Sequence, residues 1–349
     1  MKGIIEKFDV MKKSMEKIGN GRILLLTHTD MDGSGPVILM KTVFGDRVDV
    51  IHCPNVSASR TIKEKATEDG LPYSLLVVCD ISCTENDAEI INRYKKREIV
   101  LLDHHITAVE LNRYAWAAVQ PELIPGTYRD DILYDTGCRP AHSSGTSLLY
   151  DYLEACGLLN VPNTELMKKL VFFIAAYDTW DWFELFGGDI RFKDLNTLFI
   201  EYGADVFEEI FIRKVFDPGA ADLFDDTDRL ILRISEVKRL SYCEDIKKAF
   251  RTGNVMFNGK YHSFVFCQSS EYMADVFDVM KKEYPDFDLY VIDSGRSISF
   301  RSVKKEVNVG AIVKPLGGGG HPGAAGVSIP FETRRSMLEE VLGTTMYFD

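Results

Sequence analysis

The sequence predicts an α/β protein of two domains, a mostly parallel sheet domain followed by a smaller α/β domain. Three observations carry this expectation. Short continuous apolar runs at 22–27, 75–79 and 99–102 alternate with helix-periodic stretches, the pattern of strands buried on both faces. Each run leads directly into ionisable residues: His28-Thr29-Asp30-Met31-Asp32-Gly33, Asp80, and Asp103-His104-His105. From about residue 252 the chain becomes strand-rich and then enters a glycine run.

Composition narrows the field. At 349 residues the chain exceeds the length at which a single core usually keeps growing, so two domains are expected. A hydrophobic fraction of 46% is that of an ordinary globular protein. The net charge of −12 argues against a protein that coats long nucleic acid, which needs a continuous cationic track, but not against a short anionic substrate held at a metal site. No apolar stretch approaches the ~20 residues that span a bilayer, and Met1-Lys2-Gly3-Ile4-Ile5-Glu6 lacks the apolar core of a signal peptide. The seven cysteines are scattered, with no C-x-x-C pair, which argues against a disulfide framework or a thiolate zinc site. A cytoplasmic location is expected, and Cys79 and Cys83 read as small apolar fillers around Asp80.

In chain order, residues 1–18 place Ile4, Ile5, Phe8, Met11, Met15 and Ile18 at mostly three- and four-residue spacing, an amphipathic helix. The strand at 22–27 and a ligand-rich loop follow. The next helix opens at Ser34-Gly35-Pro36, with proline in the first turn, where its missing N–H is harmless. Residues 48–52 read as another strand. Asn163-Thr164-Glu165 caps a helix whose apolar face is Leu166, Leu170, Phe173, Ile174 and Tyr177, ending at Asp178-Thr179-Trp180-Asp181-Trp182. Gly187-Gly188 and the acidic loop from Asp217 to Asp226 are breaks, and a long helical connection begins at Leu230. That acidic run reads as a solvated face, because its spacing does not match a calcium loop. Residues 262–266, 288–292 and 297–301 read as strands. The expected divisions are therefore 1–186, a helical linker region at 187–251, and 252–349.

Ligands of open α/β sheets bind beyond the carboxyl ends of the strands, where the three ionisable clusters fall. Carboxylates and imidazoles without thiolates suit manganese, magnesium or another hard-to-borderline divalent ion. Several aspartates brought together repel one another unless cations neutralise them, which favours two metals over one. Asp178, at a helix end, either joins this site or serves as a structural hydrogen-bonding residue. The run Leu316-Gly317-Gly318-Gly319-Gly320-His321-Pro322-Gly323 allows close backbone approach, so that consecutive N–H groups can face an anion, and His321 adds a donor. Arg296, Arg301, Lys304, Lys305 and Lys314 surround it, with only Glu306 opposing them between positions 296 and 314. A two-metal site for phosphoester hydrolysis and a separate basic clamp fit these features, and no nucleophile elbow or Walker loop competes. Tyr177, Trp180, Trp182 and Tyr272 read as core or interface rather than as base-stacking residues, and helix capping accounts for His142-Ser143-Ser144-Gly145 as well as a site would.

The ordered set His28-x-Asp30-x-Asp32-Gly33, Asp80, Asp103-His104-His105, Asp178 and Gly317–His321 resembles the DHH/DHHA1 phosphoesterases over nearly the whole chain. The first motif is shorter here than the His-x-x-x-Asp-x-Asp of many members. The resemblance implies a DHH domain with two divalent ions, manganese with magnesium or cobalt as alternatives, and a DHHA1 domain that grips substrate. It implies one ion on His28, Asp30 and Asp80 and the other on Asp32, Asp80, His104 and Asp178, with Asp80 bridging. Asp80, Asp103, His104 and His105 would form the catalytic group, Asp103 and His105 orienting ligands or contacting phosphate. Arg301, Ser302, Gly318, Gly319, Gly320 and His321 would bind the substrate phosphate or terminal nucleotide. Within the family the chain is most similar to the nanoRNase/oligoribonuclease group, which implies cleavage of short oligonucleotides or dinucleotides to mononucleotides. The alternatives are a cyclic-dinucleotide or phosphoadenosine phosphate hydrolase, a RecJ-like exonuclease, and a non-catalytic nucleic-acid-binding module. No membrane partner is expected, and a homodimer is compatible with this reading.

Overall fold

Strands β1 (Arg22–Thr27), β2 (Val48–His52), β3 (Tyr73–Cys79), β4 (Glu98–Asp103) and β5 (Ala117–Val119) make one parallel sheet in the order β2-β1-β3-β4-β5. The protein is described by a computed structural model covering residues 2–132, 137–257 and 259–342. Successive side chains of a strand point to opposite faces, so an unbroken apolar run needs cover on both sides. Ile23, Leu25, Leu75, Val77, Val100 and Leu102 enter one core, and Leu24, Leu26, Leu76, Val78, Ile99 and Leu101 enter the other. Helices α1 (Lys2–Lys17) and α2 (Met31–Phe44) cover the first face. Helices α3 (Asn55–Thr67) and α4 (Glu85–Tyr94) cover the second. The chain then returns to the first face with α5 (Gly145–Ala155) and α6 (Thr164–Asp178).

The start of α2 differs from expectation. It begins at Met31, with Asp30 as its N-cap, so Pro36 lies inside the helix rather than in its first turn. Proline cannot donate to the carbonyl four residues back, which is that of Asp32. The Thr146 hydroxyl of α5 donates to that carbonyl instead, at 2.8 Å. Gly35 makes the approach feasible, since a Cβ there would lie 1.9 Å from Thr146 Oγ1.

Residues 187–232, expected within a helical linker region, carry helices whose apolar residues enter the first core. After α7 (Asp181–Glu184), α8 (Ile190–Tyr202) buries Phe192, Leu195 and Leu198, and α9 (Ala204–Phe216) buries Phe207, Phe211 and Val215. The chain divides into two compact units, Met1–Leu232 and Arg233–Asp349, with α10 (Asp226–Ile246) containing the boundary.

The second unit holds β6 (Arg251–Phe257), β7 (Lys260–Gln268), α11 (Met273–Glu283), β8 (Leu289–Asp293), β9 (Ser297–Arg301), α12 (Val309–Val313), β10 (Gly319–His321), β11 (Ala324–Ser328) and α13 (Phe331–Leu342). Its sheet runs β10-β11-β9-β8-β7-β6, antiparallel except for the β7–β8 pair. Val265, Cys267, Tyr290 and Ile292 face Val276, Phe277 and Met280 of α11, while Leu289, Phe300 and Ala325 face Val309, Ile312 and Val313 of α12. The two-domain α/β fold class read from sequence is thus observed. No helix among the described residues is long and apolar enough to cross a membrane.

Candidate metal centre

The strand order of the first unit reverses between β1 and β3, and the crevice at such a reversal is the usual ligand position in an open parallel sheet. His28 follows β1 there. Its Nδ1 lies 2.6 Å from Asp30 Oδ2, while Asp30 Oδ1 accepts the Gly33 N–H at 2.9 Å and so caps α2. Two residues on, Asp32 is buried against the start of α5, accepting from Gly145 N at 2.7 Å and Thr146 N at 3.0 Å. A helix N-terminus presents unsatisfied N–H groups and a positive dipole end, which holds this carboxylate in place.

Asp80, at the end of β3, is 2% exposed and has a left-handed backbone, φ 62°. A non-glycine residue with such a φ is uncommon and persists where its surroundings enforce it. Asp80 Oδ1 lies 3.2 Å from His104 Nε2, and Oδ2 is 3.9 Å from His28 Nδ1 and has no hydrogen-bond partner among the described residues. Burial first, and then the charges of Asp32, Asp30, Asp178 and Asp103, push its carboxyl well above the usual carboxylate range. Gly145 packs directly on it, with no room for a Cβ, which would sit 2.4 Å from Asp80 Cβ.

The Asp103-His104-His105 turn assigns its three side chains different tasks. Asp103 is fully buried; its Oδ1 accepts from His104 N at 2.8 Å and His105 Nδ1 at 2.7 Å, and its Oδ2 accepts from the Ser82 hydroxyl. Burial alone would raise its carboxyl, but the His105 hydrogen bond and charge together with Ser82 outweigh it and bring it below its ordinary value. His104 is turned inward, 3.2 Å from Asp80 and 3.5 Å from Asp178, and burial lowers its pKa, favouring the neutral ring that can ligate a metal. The His105 ring, half exposed, has its pKa raised by the Asp103 hydrogen bond.

Asp178 closes the cluster from the C-terminal end of α6. Burial, then Asp32 and Asp30, raise its carboxyl well above the normal range, and its Oδ2 lacks a hydrogen-bond partner among the described residues. The potential ligand atoms fall into groups lying within 4.8 Å of one another: His28, Asp30 and Asp80; Asp32, His104 and Asp178; and Asp80 with the Asp103-His104-His105 turn. Among the described residues Asp30, Asp80, Asp103 and Asp178 form ion pairs only with histidines, and none of the five aspartates pairs with lysine or arginine. An anionic cluster with two orphaned carboxylate oxygens and neutral imidazole suits divalent cations.

Supporting residues escaped the sequence reading. His52 donates from Nδ1 to the His28 carbonyl at 2.8 Å, and its Nε2 lies 3.0 Å from Glu208 of α9, which raises its pKa. Ser34 also donates to Glu208, at 2.9 Å. No local motif marks these residues, since they meet only through packing of α2, β2 and α9.

In the second unit, β10 is an exposed edge strand, so part of its glycine backbone has no neighbouring strand to bond. Gly320 has φ 140°, and a Cβ there would meet the Ala324 carbonyl at 2.5 Å. Arg301 lies on β9 in register with Ala324, its guanidinium 4.9 Å from the Phe277 ring centre. Ser302 is committed to the turn, donating to the Asp288 carbonyl at 2.8 Å and accepting from Lys304 N at 3.1 Å. The cationic clamp is smaller than the sequence window implies, because Lys304 pairs with Asp288 at 2.6 Å and with the Asp286 carbonyl at 2.7 Å.

Comparison with known proteins supplies an independent line. Residues 283–344 match the family model of the DHHA1 domain. Oligoribonuclease NrnB of Bacillus subtilis (strain 168) is 28% identical over 323 residues, which is 90% of this chain and 75% of that protein. The DHH domain of a protein described as a member of a ribosomal-protein family matches with a TM-score of 0.52 at 17% identity, covering 99% of this chain and 91% of that one, and shares the fold. RecJ from Thermus thermophilus in complex with Mn2+ matches with a TM-score of 0.47 at 15% identity, covering 98% of this chain and 55% of that one.

Proposed function

The chain is a DHH/DHHA1-type protein, and on that premise we propose that it is a manganese-dependent phosphodiesterase that hydrolyses short oligonucleotides to mononucleotides. The observation that carries the metal-dependent reading is Asp80: a buried, left-handed carboxylate with one orphaned oxygen, among acids that raise its pKa. His28, Asp30 and Asp80 would hold one ion, and Asp32, Asp80, His104 and Asp178 the other, with Asp80 shared. Divalent ions there would supply Lewis acidity toward the scissile phosphate and lower the pKa of an attacking water.

The protein's own groups have distinct parts. The α5 N-terminus fixes Asp32, and the His52–Glu208 pair fixes the backbone of His28. Asp103 holds the turn so that His104 faces inward, and it orients His105, whose remaining nitrogen can contact a substrate phosphate. In the second unit Arg301, the Gly319 and Gly320 backbone and His321 would bind the phosphate or terminal nucleotide, with Ser302 shaping the turn beside them and the Gly318 N–H committed to the Val313 carbonyl at 3.0 Å. The similarity to an oligoribonuclease favours short RNA as substrate. The acidic net charge agrees with short substrates, since long single strands need a more extended cationic groove.

The deciding experiment loads the protein with Mn2+, Mg2+ or Co2+ and measures products from a panel of RNAs from dinucleotide to pentanucleotide, cyclic dinucleotides and phosphoadenosine phosphate. Mononucleotide release from the linear RNAs, fastest with Mn2+, is expected. Preference for a cyclic dinucleotide or phosphoadenosine phosphate would transfer the assignment to that substrate. Absence of turnover on the whole panel would falsify the enzymatic reading.

A further inference from the structure

Two residues beyond Asp178 the chain makes an unusual choice. Trp180 has a left-handed backbone, φ 64°, and is 59% exposed, and Phe183 is 60% exposed. The sequence pattern suggests core or interface positions for Trp180 and Trp182, and Trp180 lies outside the core. A bulky residue in this conformation is disfavoured, and an exposed indole adds little burial, so folding alone would favour glycine or asparagine here. The rings are nevertheless ordered with respect to one another. Trp180 and Trp182 are nearly parallel at 24° with centroids 6.1 Å apart, and Tyr177 backs Trp182 at 22° and 5.9 Å. Phe183 stands edge-on to Trp180, at 90° and 6.1 Å.

The turn bearing these rings is firmly held. Asp181, buried, accepts from Ala141 N at 2.8 Å, His142 N at 3.2 Å and His142 Nδ1 at 2.6 Å. Thr179 donates its hydroxyl to the Ala175 carbonyl at 2.8 Å. The turn also starts at the metal cluster, because Asp178 lies 3.5 Å from His104, and the two residues of backbone from Asp178 to Trp180 span at most about 7 Å. An exposed aromatic surface on a turn that begins at the candidate metal cluster fits a flat ring attached to a phosphate bound there.

We infer that Trp180, Trp182 and Phe183 form a nucleobase-stacking platform that receives a purine or pyrimidine ring of the substrate beside the metal cluster, an inference that rests on the function proposed above. The platform reads ring shape rather than base identity, because every nucleobase offers a π face. It would give short substrates affinity that does not depend on an extended cationic groove.

The test compares the KM of a diribonucleotide with that of the same molecule lacking its bases, for the wild type, Trp180→Ala, Trp180→Phe and Phe183→Ala. The wild type should favour the base-bearing substrate, and Trp180→Ala should reduce that preference roughly tenfold, with metal content and thermal midpoint unchanged. Trp180→Phe should retain most of it, and Phe183→Ala should lose part. A second readout needs no turnover: AMP should quench the wild-type tryptophan fluorescence more than ribose 5-phosphate does. The signal is assignable because the chain has three tryptophans and Trp116 is buried. AMP-selective quenching without cleavage of any oligonucleotide would reject the proposed function and support the platform. Cleavage with an unchanged substrate preference in Trp180→Ala would reject the platform and leave the function standing. A Trp180→Ala variant that loses self-association while keeping the preference would assign these rings to a second copy of the chain, and the inference would be overturned.

Discussion

Asp80 follows a run of apolar residues in β3, and nothing in its neighbours along the chain specifies the left-handed backbone or the orphaned Oδ2 found in the fold. The buried charge is costly without a cation. Asp80→Asn should therefore abolish binding of metal and reduce turnover on the order of a thousandfold, measured by metal analysis and steady-state kinetics. In excess chelator the same variant should be more stable than the wild type, by on the order of 1 kcal/mol in a urea titration. An unchanged or lower stability would show that burial and the neighbouring acids do not disfavour the ionised Asp80 carboxyl. Asp151 of α5 isolates the pH effect away from the metal cluster. It is buried with both carboxylate oxygens unpartnered among the described residues, and burial, partly offset by Arg129, pushes it up to about 7. The folded protein then binds this proton more tightly than the unfolded chain, whose aspartate titrates near 3.8. Stability contributed by the group is present below that value and is lost as pH rises toward about 7. Asp151→Asn should flatten that decline, gaining on the order of 4 kcal/mol relative to wild type between about pH 4 and about pH 8.

At the scale of elements, the contact of α2 with α5 couples stability to the site. Pro36 leaves the Asp32 carbonyl without its helical donor, Thr146 replaces that donor, and the adjacent amides of α5 hold the Asp32 carboxylate. Thr146→Val should cost about 1–3 kcal/mol in chemical denaturation, because it leaves a buried carbonyl unsatisfied. Gly35→Ala should both destabilise the protein and weaken metal affinity in calorimetric titration, since its Cβ would overlap Thr146. Unaltered metal affinity in that variant would separate the helix contact from the site. In the second unit the edge strand β10 predicts a different phenotype: His321→Ala should raise KM about tenfold while leaving metal content intact. Local sequence marks α6 well, with its Asn163 cap and apolar face, but places the start of α2 too late. Serine, glycine and proline near Pro36 look like a helix start until Thr146, far along the chain, is seen to satisfy the freed carbonyl.

Across the whole molecule, each unit has cores of its own, while the metal-ligand candidates found among the described residues belong only to the first. Calorimetry should therefore resolve a metal-sensitive and a metal-insensitive transition. Adding Mn2+ at about a hundredfold excess over its Kd should raise the first by about 3 kcal/mol, and chelator should reverse it without moving the second. A uniform shift of both would show that the units unfold as one.

The parallel sheet and the gathering of the candidate metal ligands were legible in the order of residues. Continuous apolar strands demand cover on both faces, and ligand residues at or just after the ends of the parallel strands β1, β3 and β4 must gather at the carboxyl end of the sheet. What those residues do there emerges only from the folded chain. Asp103 is committed to holding its turn, His104 faces Asp80 and Asp178, Lys304 is neutralised by Asp288, and Trp180 remains in solvent rather than entering the core. The reason is that hydrogen-bond satisfaction, burial and charge pairing are set by neighbours far away in the chain, as Glu208 on α9 and Thr146 on α5 show, and no spacing along one strand encodes them.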